Sequence, residues 1–203
     1  FDSVALPTVA NQMIAGSSVG NDLIEPQILS DARGKVYLLF RDLSAGELFI
    51  ARFNADLSAD LPALLINDTA LGAFAGPFDA AVFPDGRVAV VWENYGSSAP
   101  TISLCILDST MTSALGSVAV PSDAGATQKW VPSIAIDPAT GFVVAWEDYR
   151  SGQADIFARQ FDGAGTPVGV DFSIVPSPAS DDPQYEPQVA FCGSDKYVIG
   201  WLD

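Results

Sequence analysis

A unit of about 53 residues recurs along this 203-residue chain, and few folds accommodate such a period. Three separate marks keep it. A proline precedes the first apolar run of each unit at Pro26, Pro77, Pro132 and Pro187, at spacings of 51, 55 and 55. An Asp or Asn closes the second run, in Phe40-Arg41-Asp42, Trp92-Glu93-Asn94, Trp146-Glu147-Asp148 and Trp201-Leu202-Asp203, at steps of 52, 54 and 55. Phe or Leu followed by Asp or Asn ends the third, at Phe1-Asp2, Phe53-Asn54, Leu107-Asp108 and Phe161-Asp162, at steps of 52, 54 and 54. Internal periods of this length mark solenoids, propellers or arrays.

The runs themselves read as strands. KVYLLFR, RVAVVWE, FVVAWE and YVIGWL are short, rich in Val and aromatics, and bounded by Gly, Asp and Pro. Their length and β-branched content favour strands covered on both faces. Tight-turn residues link them, with Gly available where positive φ is needed. Strands are expected near 27–30, 35–41, 47–53 and 62–66; 78–83, 87–93, 101–107 and 115–120; and 133–136, 142–147, 154–161 and 167–175. The weakest of these is 62–66, in an Ala- and Leu-rich stretch that holds Pro62.

Four antiparallel strands per unit of this size define a β-propeller blade. The expected class is all-β, a propeller or propeller segment. A β-sandwich is the alternative, but it has no reason to repeat Pro, Trp and Asp in register. One repeat domain is expected over 1–203: the end of a blade at 1–25, blades at 26–76, 77–131 and 132–186, and the start of a blade at 187–203. The chain begins at Phe1 without a visible signal peptide and reads as part of a longer one.

The formal net charge is −16. A surface this acidic repels nucleic acid and anionic lipid, so neither is an expected partner. No apolar run approaches the roughly 20 residues of a membrane-spanning helix, so membrane insertion is not expected. Cys105 and Cys192 lie in different units and read as two small buried hydrophobes. Asn67 opens the only N-x-[ST] triplet, a candidate glycosylation acceptor.

With no histidine in the chain, Ser-His-Asp and Cys-His catalysis are excluded. The P-loop, dinucleotide and zincin spacings are missing, as are an Arg triad and an Asp-box. No catalytic residue and no cofactor are therefore expected. Asp42, Asn94, Asp148 and Asp203 read as turn-formers capping local backbone N–H groups. A ring of such acceptors would also suit Ca2+ or sugar hydroxyls. Asp181, Asp182 and Glu186 form a local acidic group, a weak candidate for Ca2+ against the plainer reading of a solvated loop. Trp92, Trp146 and Trp201 recur in register and read as core. Trp130 and Tyr185 each lie two residues before a repeat proline, where a partly exposed ring could stack on a sugar.

The stretch Phe142-Val143-Val144-Ala145-Trp146-Glu147-Asp148, then Ser151-Gly152 and Asp155-Ile156-Phe157-Ala158-Arg159-Gln160-Phe161-Asp162, resembles a known repeat. It is similar to the propeller-type repeats (FVVxWxDxRxGxxDIYAQRFD-like) of large secreted or surface-exposed bacterial proteins. The third unit matches nearly throughout. The first keeps Asp42, Gly46 and Ile50-Ala51-Arg52-Phe53, and the second departs at Asn94 and Ser103-Leu104-Cys105-Ile106-Leu107. The resemblance implies a propeller fold, an extracellular or cell-surface setting, and no catalytic residue.

The expected function is thus a non-catalytic module for binding or adhesion, with a glycan or surface protein as partner. A structural subunit of a surface layer or filament is one alternative. A fragment of a propeller glycosidase or sialidase-like enzyme is the other. Residues 1–15 align without a gap on 161–175, a fourth-strand match, so strand exchange between chains is a further expectation.

Overall fold

The computed structural model describes residues 22–67, 74–111, 114–123, 127–175, 182–193 and 196–203, and its regular structure is all β. In the first sheet, β1 (Leu23–Ser30), β2 (Val36–Asp42), β3 (Glu47–Phe53) and β4 (Ala59–Leu65) pair in chain order, each antiparallel to the last. The second holds β5 (Ala75–Val82), β6 (Val88–Asn94), β7 (Thr101–Leu107) and β8 (Ala114–Ala119). The third holds β9 (Lys129–Asp137), β10 (Gly141–Asp148), β11 (Asp155–Asp162) and β12 (Pro167–Ser173). A hairpin of β13 (Tyr185–Phe191) and β14 (Tyr197–Leu202) follows. The fold is a β-propeller of four-stranded antiparallel blades. The N-terminal stretch 1–15 and Asp181 lie outside the described residues.

The core lies between blades, which is why the second strand of each is apolar on both faces. Val88, Val90 and Trp92 of β6 pack with Tyr37, Leu39, Leu48 and Ile50 of the first blade. Their neighbours Ala89 and Val91 turn the other way, toward Phe142, Val144 and Trp146 of β10. Val143 and Ala145 then face Val189, Ile199 and Trp201 of the last hairpin. Alternation along a strand thus feeds two seams. Trp92 and Trp146 occupy equivalent places, each buried against the preceding blade.

The repeat proline stands inside the first strand rather than before it. Each first strand starts earlier than expected and is interrupted by a bulge at the X-Pro step. Proline has no N–H for the ladder, so pairing breaks there. Glu25, Val131 and Glu186, the residues before three of these prolines, take positive φ of 53°, 48° and 52°. In the second blade the same place belongs to Gly76. Pro62, by contrast, sits in β4 at the outer edge of its sheet, where a missing donor is tolerated.

A polar belt ties the four first strands together. Gln27 Nε2 donates to Asp79 Oδ1 at 2.7 Å, and Ile134 N and Ser133 Oγ donate to Asp79 Oδ2 at 2.9 and 3.2 Å. Val189 N donates to Ser133 Oγ at 3.1 Å. The belt runs β1–β5–β9–β13 and makes these the inner strands, against which the rest of each blade is laid out.

Candidate functional site

The site grows from one repeat position, the residue before the Asp or Asn that closes each second strand. It reaches the bulge of the following blade. Arg41 Nη1 donates to Ala75 O at 2.8 Å. Glu93 Oε1 accepts from Val131 N at 2.7 Å, and Glu147 Oε1 from Glu186 N at 2.8 Å. These joints gather carboxylates at one end of the inner strands. Glu25 is gripped there through both oxygens by Arg41 Nε and Nη2, at 2.9 and 2.8 Å.

The second blade departs from the repeat at this point. A Cβ on Gly76 would fall 2.7 Å from Glu93 Oε2 and closer still to the Tyr95 ring. The bare glycine leaves room for both side chains, and Tyr95 Oη donates to Glu93 Oε2 at 2.5 Å. The Tyr95 ring meets the half-buried Trp130 at a centroid distance of 5.8 Å and a 60° tilt. Trp130 in turn lies across the β9–β10 ladder from Glu147. Glu93, Tyr95, Trp130 and Glu147 are therefore contiguous.

Their electrostatics differ. Burial pushes the Glu93 carboxyl up; hydrogen bonds from Tyr95 and Val131 and the Arg41 charge pull it partway back. Burial also raises Glu147, which has the single donor Glu186 N, and the negative charges of Glu93 and Glu186 push it the same way. Its Oε2 accepts no hydrogen bond from the described residues. The Tyr95 phenol is held up by burial and by the adjoining Glu93 carboxylate. Paired carboxyl groups in unequal environments are what acid–base chemistry on a glycosidic bond requires.

The residues singled out from sequence fall in different places. Trp130 is in this cluster. Tyr185 opens β13, exposed, and pairs with Leu202. Glu186 joins through its backbone N–H to Glu147, and Asp182 is exposed. Asn67 is buried, with its amide bonded to Leu48 N at 2.7 Å and Gly46 O at 2.9 Å, a link between loop and strand. Asp42 caps Ser44 N at 2.9 Å, Asn94 caps Gly96 N at 2.8 Å, and Asp148 caps Arg150 N at 2.9 Å. Asp203 accepts from Trp201 Nε1 at 2.8 Å, as Asp148 does from Trp146 Nε1 at 2.9 Å. Neither cysteine forms a disulfide; burial raises the Cys105 thiol to about 11, whereas Cys192 is exposed rather than buried.

Asp123, Asp148 and Asp171 bring carboxylate oxygens within 4.8 Å of one another. Cationic side chains already fill that space. Arg150 Nη2 lies 2.6 Å from Asp148, 2.5 Å from Asp171 and 3.3 Å from Asp123, and the buried Lys129 Nζ lies 3.2 Å from Asp123. Burial works against the Asp148 carboxylate, but bonds from Arg150 and Trp146 hold its pKa below the usual range.

No family model matches the sequence, and no curated protein matches it. Solved structures do resemble it in fold. An alpha-L-arabinanase of Penicillium chrysogenum, complexed with arabinobiose, superposes with a TM-score of 0.58 at 11% identity over 87% of this chain and 58% of that one. A GH93 alpha-L-arabinofuranosidase of Fusarium graminearum, with arabinobiose, gives 0.60 at 11% identity and the same coverage. An endo-arabinase from Bacteroides thetaiotaomicron gives 0.52 at 13% identity over 87% of this chain and 68% of that one. The chain thus spans 58% of the length of the first two.

This comparison corrects the expectation of a non-catalytic binding module and of no enzyme. The propellers that share the fold are named as glycan-cleaving enzymes. The physical reason is that glycoside hydrolysis runs on carboxyl groups, so a missing histidine does not bear on it, and a missing Arg triad and Asp-box bear only on sialidase-like sites. Glu93, Tyr95 and Glu147 carry no signal of their own in the sequence, because they stand beside repeat marks and read as strand ends. The signal that could have found them is Gly76, where the other units carry Glu25, Val131 and Glu186.

Proposed function

We propose that this chain is the site-bearing part of a propeller glycoside hydrolase, acting on a glycan that enters at the Glu93–Glu147 end of the inner strands. The observation that carries the reading is the pair of buried glutamates on successive blades, both with raised pKa, beside the Trp130–Tyr95 aromatic pair. Glu147 is the better proton donor to a leaving oxygen, because little besides Glu186 N stabilises its ionised form. Glu93, with three donors or cations facing it, is the better proton acceptor. Trp130 offers an apolar face on which a sugar ring stacks. The likeness in fold to arabinobiose-bound enzymes supports a neutral glycan as the substrate class.

The test is release of reducing sugar and of 4-nitrophenol from a panel of arabino- and galacto-oligosaccharides and aryl glycosides. Turnover by the wild type, with Glu147→Gln and Glu93→Gln each reduced about a hundredfold or more, is the expected result. Turnover unaffected by either change sinks the assignment of the site.

A further inference from the structure

The mouth holds the carboxylates of Glu25, Glu93, Glu147 and Glu186 and the phenol of Tyr95, with Tyr149 close to Glu147, and their partners leave them unequal work. Glu25 is spent on Arg41 through both oxygens. Glu93 is bonded at both oxygens as well, by Val131 N and by Tyr95. Glu147 keeps one oxygen without a partner among the described residues, which suits a proton donor. Tyr95 is the group that is 36% exposed, hydrogen-bonded to a buried carboxylate, and tilted against the Trp130 ring.

That arrangement has the three parts of an activated nucleophile: an attacking group, a base within hydrogen-bond reach of it, and a third group orienting the base. Tyr95 Oη, Glu93 Oε2 and Val131 N fill the parts in order, at 2.5 Å for the first contact and 2.7 Å for the second. Gly76 supports the assignment independently, since a side chain there would displace both Tyr95 and Glu93. In the third blade, Tyr149 and Glu147 repeat the two residues in sequence, but Val131 stands before the proline where the second blade has Gly76.

We infer that Tyr95 is the nucleophile of this site, forming a glycosyl–tyrosine intermediate; the inference rests on the hydrolase reading above. Tyr95 Oη attacks the anomeric carbon and passes its proton to Glu93. The bond from that carbon to the leaving oxygen breaks, and the leaving oxygen takes the proton of Glu147. Water then attacks the same carbon and gives a proton to Glu147, while the tyrosine oxygen departs and recovers its proton from Glu93. Two displacements at one carbon retain its configuration, and no other reactant is needed. The phenol is protonated at rest, so the base must act during attack rather than before it.

The experiment uses 2,4-dinitrophenyl 2-deoxy-2-fluoro glycosides of arabinofuranose and of galactose on the wild-type chain. Intact mass should rise by one fluorosugar, peptide mapping should place it on Tyr95, and NMR of the cleaved sugar should show retention. Tyr95→Phe should lose the adduct and lower kcat about a hundredfold or more, with KM changed little. An adduct on Glu147 or Glu186, an inverted product, or a Tyr95→Phe variant within a few-fold of wild type overturns the role of Tyr95 and leaves the hydrolase reading standing. If no adduct accumulates, Tyr95→Phe decides. A wild type that cleaves nothing in the panel overturns both.

Discussion

At the end of β10, Asp148 is fastened by Arg150 and by the buried Lys129, and the whole corner is an ion-pair network with Asp123 and Asp171. Ser122 Oγ donates to Asp171 and closes it further. At the end of β6 the corresponding residues are Asn94, Gly96 and Ala75, and no such network exists there among the described residues. The second blade has Tyr95 on Glu93 instead, in the room left by Gly76. Two copies of one repeat have thus become a fastened corner and an accessible one. The difference lies in three lost charges and in the backbone of the first strand, whose bulge falls directly after Ala75 in β5 but one residue later, after Trp130, in β9.

The comparison can be broken hardest at what the blades have in common. Trp146→Ala should cost about 3–5 kcal/mol, the usual range for emptying a large aromatic site, and should be read from the urea midpoint. A cost near that of a surface substitution would mean the seam between the blades is not the core. Asp148→Asn strikes only the fastened corner. It leaves Lys129 and Arg150 short of a partner and should cost on the order of 3 kcal/mol, with turnover per folded molecule unchanged.

Gly76→Val places the third blade's residue in the second. Overpacking predicts a loss of about 1–3 kcal/mol, together with loss of hydrolysis far beyond the loss of fold. Activity that survives this change would separate Tyr95 and Glu93 from the chemistry.

The smallest effect is one of pH. The Asp148 carboxyl is depressed in the fold, so the stability it adds is present above its unfolded pKa of about 3.9 and is lost as pH falls through the lower folded value. Glu93 and Glu147 are raised, so their contribution is full below about pH 4.3 and is lost as pH rises through their folded values. Denaturation between acid and neutral pH should show Asp148→Asn flattening the acid limb and Glu147→Gln flattening the neutral one. The same slope change in both variants would erase the distinction between the corners.

Much of the scaffold was legible in the residues. The registered prolines, Trp92 and Trp146 announced blades with seams on both faces, and Asp42 announced a capped turn, because short-range geometry dictates those choices. The proline was read one step out of place, since a bulge at an X-Pro step leaves no mark in an apolar run. The site was hidden by the repeat itself. Glu93 and Glu147 are in register with Arg41, and a position that recurs reads as construction. What distinguishes them is Gly76, where the other units carry Glu25, Val131 and Glu186. The partnership of Asp123 and Asp171 with Asp148 has no signal, because residues 48 apart meet only when the loop after β8 comes against β12 of the next blade.

The joints between blades have a sense of direction. A carboxylate leaves the third blade and meets a bulge N–H on the next, and the second blade does the same to the third. The first joint is reversed: Arg41 brings a donor, and the second blade answers with the carbonyl of Ala75. A tandem copy of the third blade would therefore seat itself, Glu147 meeting the copy's Val131 N as Glu93 already does. One repeat position thus carries a donor at the first joint and an acceptor at the next two, so polarity along the ring of blades is set by a single side chain per joint, and Arg41 marks where it turns over.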